Sequence, residues 1–265
     1  MRVRTRAFNG GAMMEDKRKG IYILPNLFTT AALFAGFYAI VQAMKGEFWH
    51  AAVAVFIAMV MDGLDGRVAR WTHTESDFGA QYDSLSDMVS FGLAPALVVY
   101  EWGLSGLGKL GWLAAFIYSA AAALRLARFN IQTSTDRRLS FHGLPSPAAA
   151  AVVTGLVWVL QGYGSPPLWL RITALAVTVL IGAAMVSNIR YHSFKHIDLK
   201  GRVPFISVLA VVLIFVLISL DPARVLFALF FCYALSGPID SLVRRYRRML
   251  HRRRLGDNHE GSPRA

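Results

Sequence analysis

Apolar residues gather in eight long blocks, at about 22 to 44, 48 to 66, 82 to 101, 110 to 129, 145 to 161, 168 to 187, 203 to 220 and 223 to 243. Each block is close to the roughly 20 residues that carry a helix across a bilayer. The pattern predicts about eight transmembrane helices, joined by short connections except at 132 to 143 and 188 to 202. The second block is apolar only as far as Met61, so its helix is expected to continue past the membrane surface carrying Asp62 to Arg70. Pro145 and Pro147 mark the start of the fifth helix and Pro204 that of the seventh, where proline is tolerated. With 55% hydrophobic and 17% charged residues the chain is too apolar for an ordinary soluble domain. The expected fold is all-α, a polytopic integral membrane helical bundle. No internal repeat stands out, so residues 20–247 are read as one membrane domain between a polar, basic tail at 1–19 and a basic tail at 248–265.

Charge tests the helix count independently, because cytoplasmic connections collect Lys and Arg. With the N-terminus inside, 24 of the 28 basic residues fall on the cytoplasmic side: six ahead of the first span, two after the second, four after the fourth, four after the sixth and eight after the last. The opposite side receives Lys45, Lys109, Arg171 and Arg224. Both termini are therefore expected in the cytoplasm, with the chain in the inner (cytoplasmic) membrane. The net charge of +12 lies in membrane-flanking stretches and in the run from Arg244 to Arg248, which suits anionic membrane lipids better than nucleic acid. Residues 1 to 20 have no apolar core ahead of the first span, so no cleavable signal is expected. A single cysteine, Cys232, excludes an internal disulfide and is expected to be inert packing. His73, His142, His192 and His196 lack zinc-site spacing, and Trp49, Trp102, Trp112 and Trp169 fall where an interfacial belt on the non-cytoplasmic side would sit.

Four acids break this apolar pattern: Asp62 and Asp65, three apart, and Asp83 and Asp87, four apart. Each pair projects from one face of its own helix, and two such pairs can converge on shared metal ions. Clustered carboxylates repel one another, and divalent cations are the simplest agents that keep them ionised. Hard oxygen ligands point to two Mg²⁺ or Mn²⁺ ions, a set suited to displacement at phosphorus. Charge placed at membrane depth is also what a cation-coupled transporter would carry. The charge count turns the cluster towards the cytoplasm.

The spacing Asp62-x-x-Asp65-Gly66-x-x-Ala69-Arg70, eight residues, Gly79-x-x-x-Asp83-x-x-x-Asp87 resembles the signature of the CDP-alcohol phosphotransferases, also called CDP-alcohol phosphatidyltransferases, at all eight positions. Over roughly residues 20 to 205 the chain is similar to the bacterial-type phosphatidylserine synthases, through Pro25 to Thr30, Asp83 to Pro95, Arg125 to Asn130, Gly143 to Pro147 and Ser193 to Lys195. The resemblance implies transfer of the phosphatidyl group from CDP-diacylglycerol to L-serine, giving phosphatidylserine and CMP, by a homodimer. It implies Asp62, Asp65 and Asp83 as metal ligands, and Asp87 as a residue that touches one metal and acts as general base. Asn26 and Thr30 would lie close to the nucleotide. Gly66 and Gly79 would let the diphosphate approach the backbone, Ala69 would allow close helix contact, and Arg70 would hold a phosphate or orient an aspartate. Arg125, Arg128 and Asn130 would form a pocket for the acceptor or for phosphate, although arginines at a helix end also serve as membrane anchors. Arg190 and Lys195 are further candidates. The signature concerns the nucleotide-lipid half of the reaction, so glycerol 3-phosphate, inositol phosphate or choline remain alternative acceptors.

Overall fold

The computed structural model describes residues 11–131, 143–189, 191 and 205–260, and among these there are helices and turns and no strand. Helix α1 (Gly11–Met44) packs along α2 (Phe48–Thr72). Helix α3 (Asp77–Asp87), a π-helical segment (Met88–Leu93) and α4 (Ala94–Trp102) follow one another without a break and lie against α1. Helix α5 (Lys109–Ile131) covers the π-helical segment, α6 (Ser146–Leu160) occupies the centre, and α7 (Leu168–Val186) packs on α5 and α6. Helix α8 (Phe205–Leu220) touches α9 (Pro222–Glu260), which itself packs on α6.

Small side chains set these distances. Ala148 to Val153 on α6 are all buried, so this helix is apolar around its whole circumference and enclosed by its neighbours. Phe34, Phe37, Phe116, Leu180 and Phe215 point outwards and are exposed, a surface that suits lipid and not water. Among the described residues, five helical stretches are long and apolar enough to cross a membrane: Leu24–Met44, Lys109–Ile131, Ser146–Tyr163, Leu168–Val186 and Pro222–Val243.

Several local expectations change. Helix α1 begins at Gly11 and α9 reaches Glu260, so helix extends into both stretches read as tails; their Lys, Arg, Met and Glu residues are good helix formers. Trp102 is 3% exposed, a core residue and not part of an interfacial belt. Cys232 is exposed on α9 instead of packed inside. Arg137, Arg138, His142, Arg190, Ser193 to His196, Lys200, Arg202 and Pro204 lie outside the described residues.

Candidate active site

Helix α2 ends on His73, whose φ of 53° is left-handed, and the backbone N–H of Thr74 returns to the Ala69 carbonyl at 3.1 Å. The Thr72 and Thr74 hydroxyls meet at 2.7 Å, and Ser76 caps α3 by accepting from the Gly79 N–H at 3.0 Å. The chain thus reverses within a few residues. Asp65 stands seven residues before Thr72 and Asp83 seven after Ser76. At 1.5 Å per residue both lie about 10 Å from the turn, and Asp62 and Asp87 face each other roughly 5 Å deeper.

The outcome is a carboxylate cluster. Oxygens of Asp62, Asp83 and Asp87 lie within 4.8 Å of one another. Asp65, buried, accepts a 2.8 Å hydrogen bond from the Thr29 hydroxyl on α1. None of the ion pairs among the described residues reaches these acids; His50–Glu47 and Arg224–Asp221 lie elsewhere. A compact set of hard carboxylate oxygens, with no basic group among the described residues in contact, fits a Mg²⁺ or Mn²⁺ ion.

A polar cavity of about 600 Å³ opens beside the cluster, walled by Asn26, Asp65, Gly66, Arg70, Gly79 and Asp83. The glycines are part of its shape. A Cβ on Gly79 would stand 3.1 Å from Ser76 Oγ and 3.5 Å from Asn26 Oδ1, and one on Gly66 would stand 3.7 Å from Arg70 Nη1. A second cleft, apolar and of about 730 Å³, runs between α1 and α2 from Thr30 and Met61 to Tyr38 and Trp49. A polar cavity lined by Asn26 and Thr29 and an apolar cleft lined by Leu27 and Thr30 thus meet the same stretch of α1.

The CDP-alcohol phosphatidyltransferase family model matches residues 22–189. The chain belongs to this family. It is 38% identical over 224 residues to the CDP-diacylglycerol--serine O-phosphatidyltransferase of Helicobacter pylori, covering 84% of this chain and 94% of that one. The proteins of that name from Methanocaldococcus jannaschii (35% identical, 70% of this chain, 81% of that one) and Bacillus subtilis (33%, 65% and 91%) are similar as well. Family members generally depend on divalent metals, and their membrane setting agrees with the apolar helices here.

Within this CDP-alcohol phosphatidyltransferase, most residues singled out in the sequence come together, and a few do not. Asn26 lines the polar cavity, but Thr30 lines the apolar cleft, where its hydroxyl meets the Asn26 carbonyl at 2.7 Å and Tyr82 Oη at 2.9 Å. Thr29, not Thr30, reaches Asp65; on a helix the two point about 100° apart. The signal for Thr29 was its place three residues after Asn26. Arg125 donates to Ser146 Oγ at 2.8 Å, lies within electrostatic reach of Asp87 and Asp62, and its buried Nε has no hydrogen-bond partner among the described residues. Arg128 turns instead to Asn188 Oδ1 at 3.0 Å, at the far end of α7. Asn130 binds Ser84 on α3 at 3.0 Å, which braces α5 against the aspartate helix without pointing Asn130 at the carboxylates.

Proposed function

We propose that this protein transfers the phosphatidyl group of CDP-diacylglycerol to the hydroxyl of L-serine, releasing CMP and forming phosphatidylserine. The observation that carries this reading is the convergence of Asp62, Asp83 and Asp87, with Asp83 lining the wall of the polar cavity. The relatives named for the same reaction support it.

The cytidine diphosphate would occupy the polar cavity, with Asn26 and Arg70 as donors and Gly66 and Gly79 leaving space for it. The acyl chains would lie along the apolar cleft. Asp62, Asp65, Asp83 and Asp87 would hold two divalent cations, Mg²⁺ or Mn²⁺. When bound, such cations neutralise charge on the diphosphate and stabilise the attacking and leaving oxygens. Asp87, one helical turn beyond Asp83, takes the proton of the serine hydroxyl. The serine oxygen bonds to the β-phosphorus, and the bond from that phosphorus to the oxygen of CMP breaks. CMP leaves with that oxygen.

Arg125 is the candidate for the anionic group of the acceptor, since its charge lies within electrostatic reach of Asp87 and Asp62 and a guanidinium suits a carboxylate or a phosphate. The charge distribution supports eight spans, with both termini and the site on the cytoplasmic side of the inner membrane. The family resemblance supports assembly as a homodimer.

The test is CMP release by purified protein in detergent, with and without Mg²⁺ or Mn²⁺, against L-serine, glycerol 3-phosphate, inositol phosphate and choline. Metal-dependent stimulation by serine is the expected result. Stimulation by another acceptor alone would replace serine, and absence of any metal-dependent turnover would favour a transport role for the acids.

A further inference from the structure

The helix that carries Asp83 and Asp87 does not continue as an ordinary α-helix. Within the segment Met88–Leu93 the backbone winds wider, and the Ala94 N–H returns to the Val89 carbonyl, five residues back instead of four. The cause lies at Pro95. In an α-helical ladder the carbonyl of Phe91 would accept from residue 95, but proline has no N–H, and its ring presses on that same carbonyl. The wide turn relieves the pressure, and the Phe91 carbonyl is without the N–H that residue 95 would give it in an α-helix.

That donor comes from another helix. Tyr118 on α5, fully buried, gives its hydroxyl to the Phe91 carbonyl at 3.0 Å, and neighbouring Ser119 gives its hydroxyl to the Gly92 carbonyl at 3.3 Å. The approach is close: a Cβ on Gly92 would stand 3.2 Å from the Ala122 Cβ, and one on Gly36 of α1 would stand 2.7 Å from Ser90 Cα. The wide turn is thus clamped between α1 and α5.

Its consequence is rotational. One residue added to a helical turn swings whatever precedes it by about 100° relative to whatever follows. Helix α4 is fixed in the core by Ala96, Val98, Val99 and Trp102, all at 3% exposure or less. The wide turn therefore sets the direction in which Asp83 and Asp87 point. Ser86 and Ser90 add hydroxyl bonds to the α1 carbonyls of Thr29 and Ala32 at 3.1 and 3.0 Å, consistent with that one setting.

We infer that Tyr118 is a positioning residue for the carboxylate cluster, its hydroxyl replacing the backbone donor that Pro95 lacks and so holding Asp83 and Asp87 in line with Asp62. The inference rests on the cluster being the metal site proposed above. Its test uses Mn²⁺ alone, titrated into the full-length protein in detergent and followed by electron paramagnetic resonance, beside the kinetics of CMP release. Tyr118→Phe keeps the ring and removes the hydroxyl. The expected result is a fall of about 10- to 100-fold in Mn²⁺ affinity with a lower kcat, as for lost support of metal ligands, while the KM for serine stays within about twofold. p-Aminophenylalanine at position 118 keeps the ring and puts an N–H donor back at the place of the hydroxyl. It should therefore bind Mn²⁺ more tightly than Tyr118→Phe.

Parental Mn²⁺ affinity in Tyr118→Phe would overturn the inference and leave the metal site standing. A loss that p-aminophenylalanine at position 118 does not relieve would also overturn it, because it would trace to packing and not to the donated hydrogen bond. No Mn²⁺ binding by the parent protein would remove the metal site and the inference together. Should Tyr118→Phe fail to fold, p-methylphenylalanine at position 118 fills the volume of the hydroxyl without donating and decides the matter by the same readout: weakened Mn²⁺ binding supports the inference, and unchanged binding overturns it.

Discussion

Replacing Thr29 with valine isolates one hydrogen bond. Thr29 is 4% exposed, and its hydroxyl lies 2.8 Å from Asp65 Oδ2 and 3.2 Å from the Pro25 carbonyl. A hydroxyl has one hydrogen, and the shorter contact to the acid takes it. Valine fills the same volume, so packing in the α1–α2 interface is retained while Asp65 loses its donor. A hydrogen bond to a charged acceptor contributes about 1.5–3 kcal/mol, equivalent to roughly 10- to 150-fold in an equilibrium constant. That range agrees with the approximately 10- to 100-fold cost of losing a partner that orients a metal ligand. The assay is the initial rate of CMP release against Mg²⁺ concentration at saturating substrates. Thr29→Val should move the half-saturating Mg²⁺ concentration upwards by about 10-fold or more, with kcat largely recovered at high metal. Thr29→Ser, which keeps the hydroxyl, should stay near the parent. An unchanged Mg²⁺ curve in Thr29→Val would refute the reasoning, because Asp65 would then need no support from α1.

Asp87→Asn removes the proposed base and should lower kcat by roughly 10² to 10⁴; turnover at the parental rate would reassign the proton acceptor. Gly79→Val places methyl groups against Asn26 and Ser76, where even a Cβ is 3.1 Å from Ser76 Oγ, and should raise the KM for CDP-diacylglycerol without a comparable fall in thermal stability. Ala31→Phe fills the apolar cleft; displacing about three methylenes at ~0.8 kcal/mol each costs roughly 50-fold in KM for long-chain CDP-diacylglycerol, and short-chain substrates should be spared. Gly143→Ala should act on stability alone, since Gly143 has φ +86° and its Cβ would meet the Met185 carbonyl. The backbone cost of about 1–2 kcal/mol should lower the melting temperature by several degrees before the clash is counted.

The carboxylate cluster was legible from the sequence because it depends on counting along two helices joined by a short turn. Hydropathy located the helices for the same reason, since each span is a local run. What escaped was rotation and depth. Thr30 and Thr29 differ by one position, yet helical phase sends the first into the apolar cleft and the second to Asp65. Arg125 and Arg128 read alike as basic residues at a helix end, and only packing shows one half-buried, bonded to Ser146 within electrostatic reach of Asp87, and the other tied to Asn188. Trp102 occupies a helix terminus, which sequence position reports, but its burial depends on neighbours brought from elsewhere in the chain. Pro95 was visible within the run from Asp83, whereas its effect required knowing that Tyr118 stands opposite Phe91.

The equal arms of the α2–α3 reversal have a bearing on which changes of length this protein can accept. Seven residues separate Asp65 from Thr72 and seven separate Ser76 from Asp83, close to two helical turns on each side. A single inserted residue in one arm would turn its acids away by about 100° and displace them by about 1.5 Å, so it dismantles the cluster even if every side chain is kept. Adding two turns to both arms at once would nearly restore the original facing and merely carry the reversal about 10 Å further from the cluster. The segment thus behaves as a two-legged gauge, indifferent to much of its surface chemistry and intolerant of unequal legs.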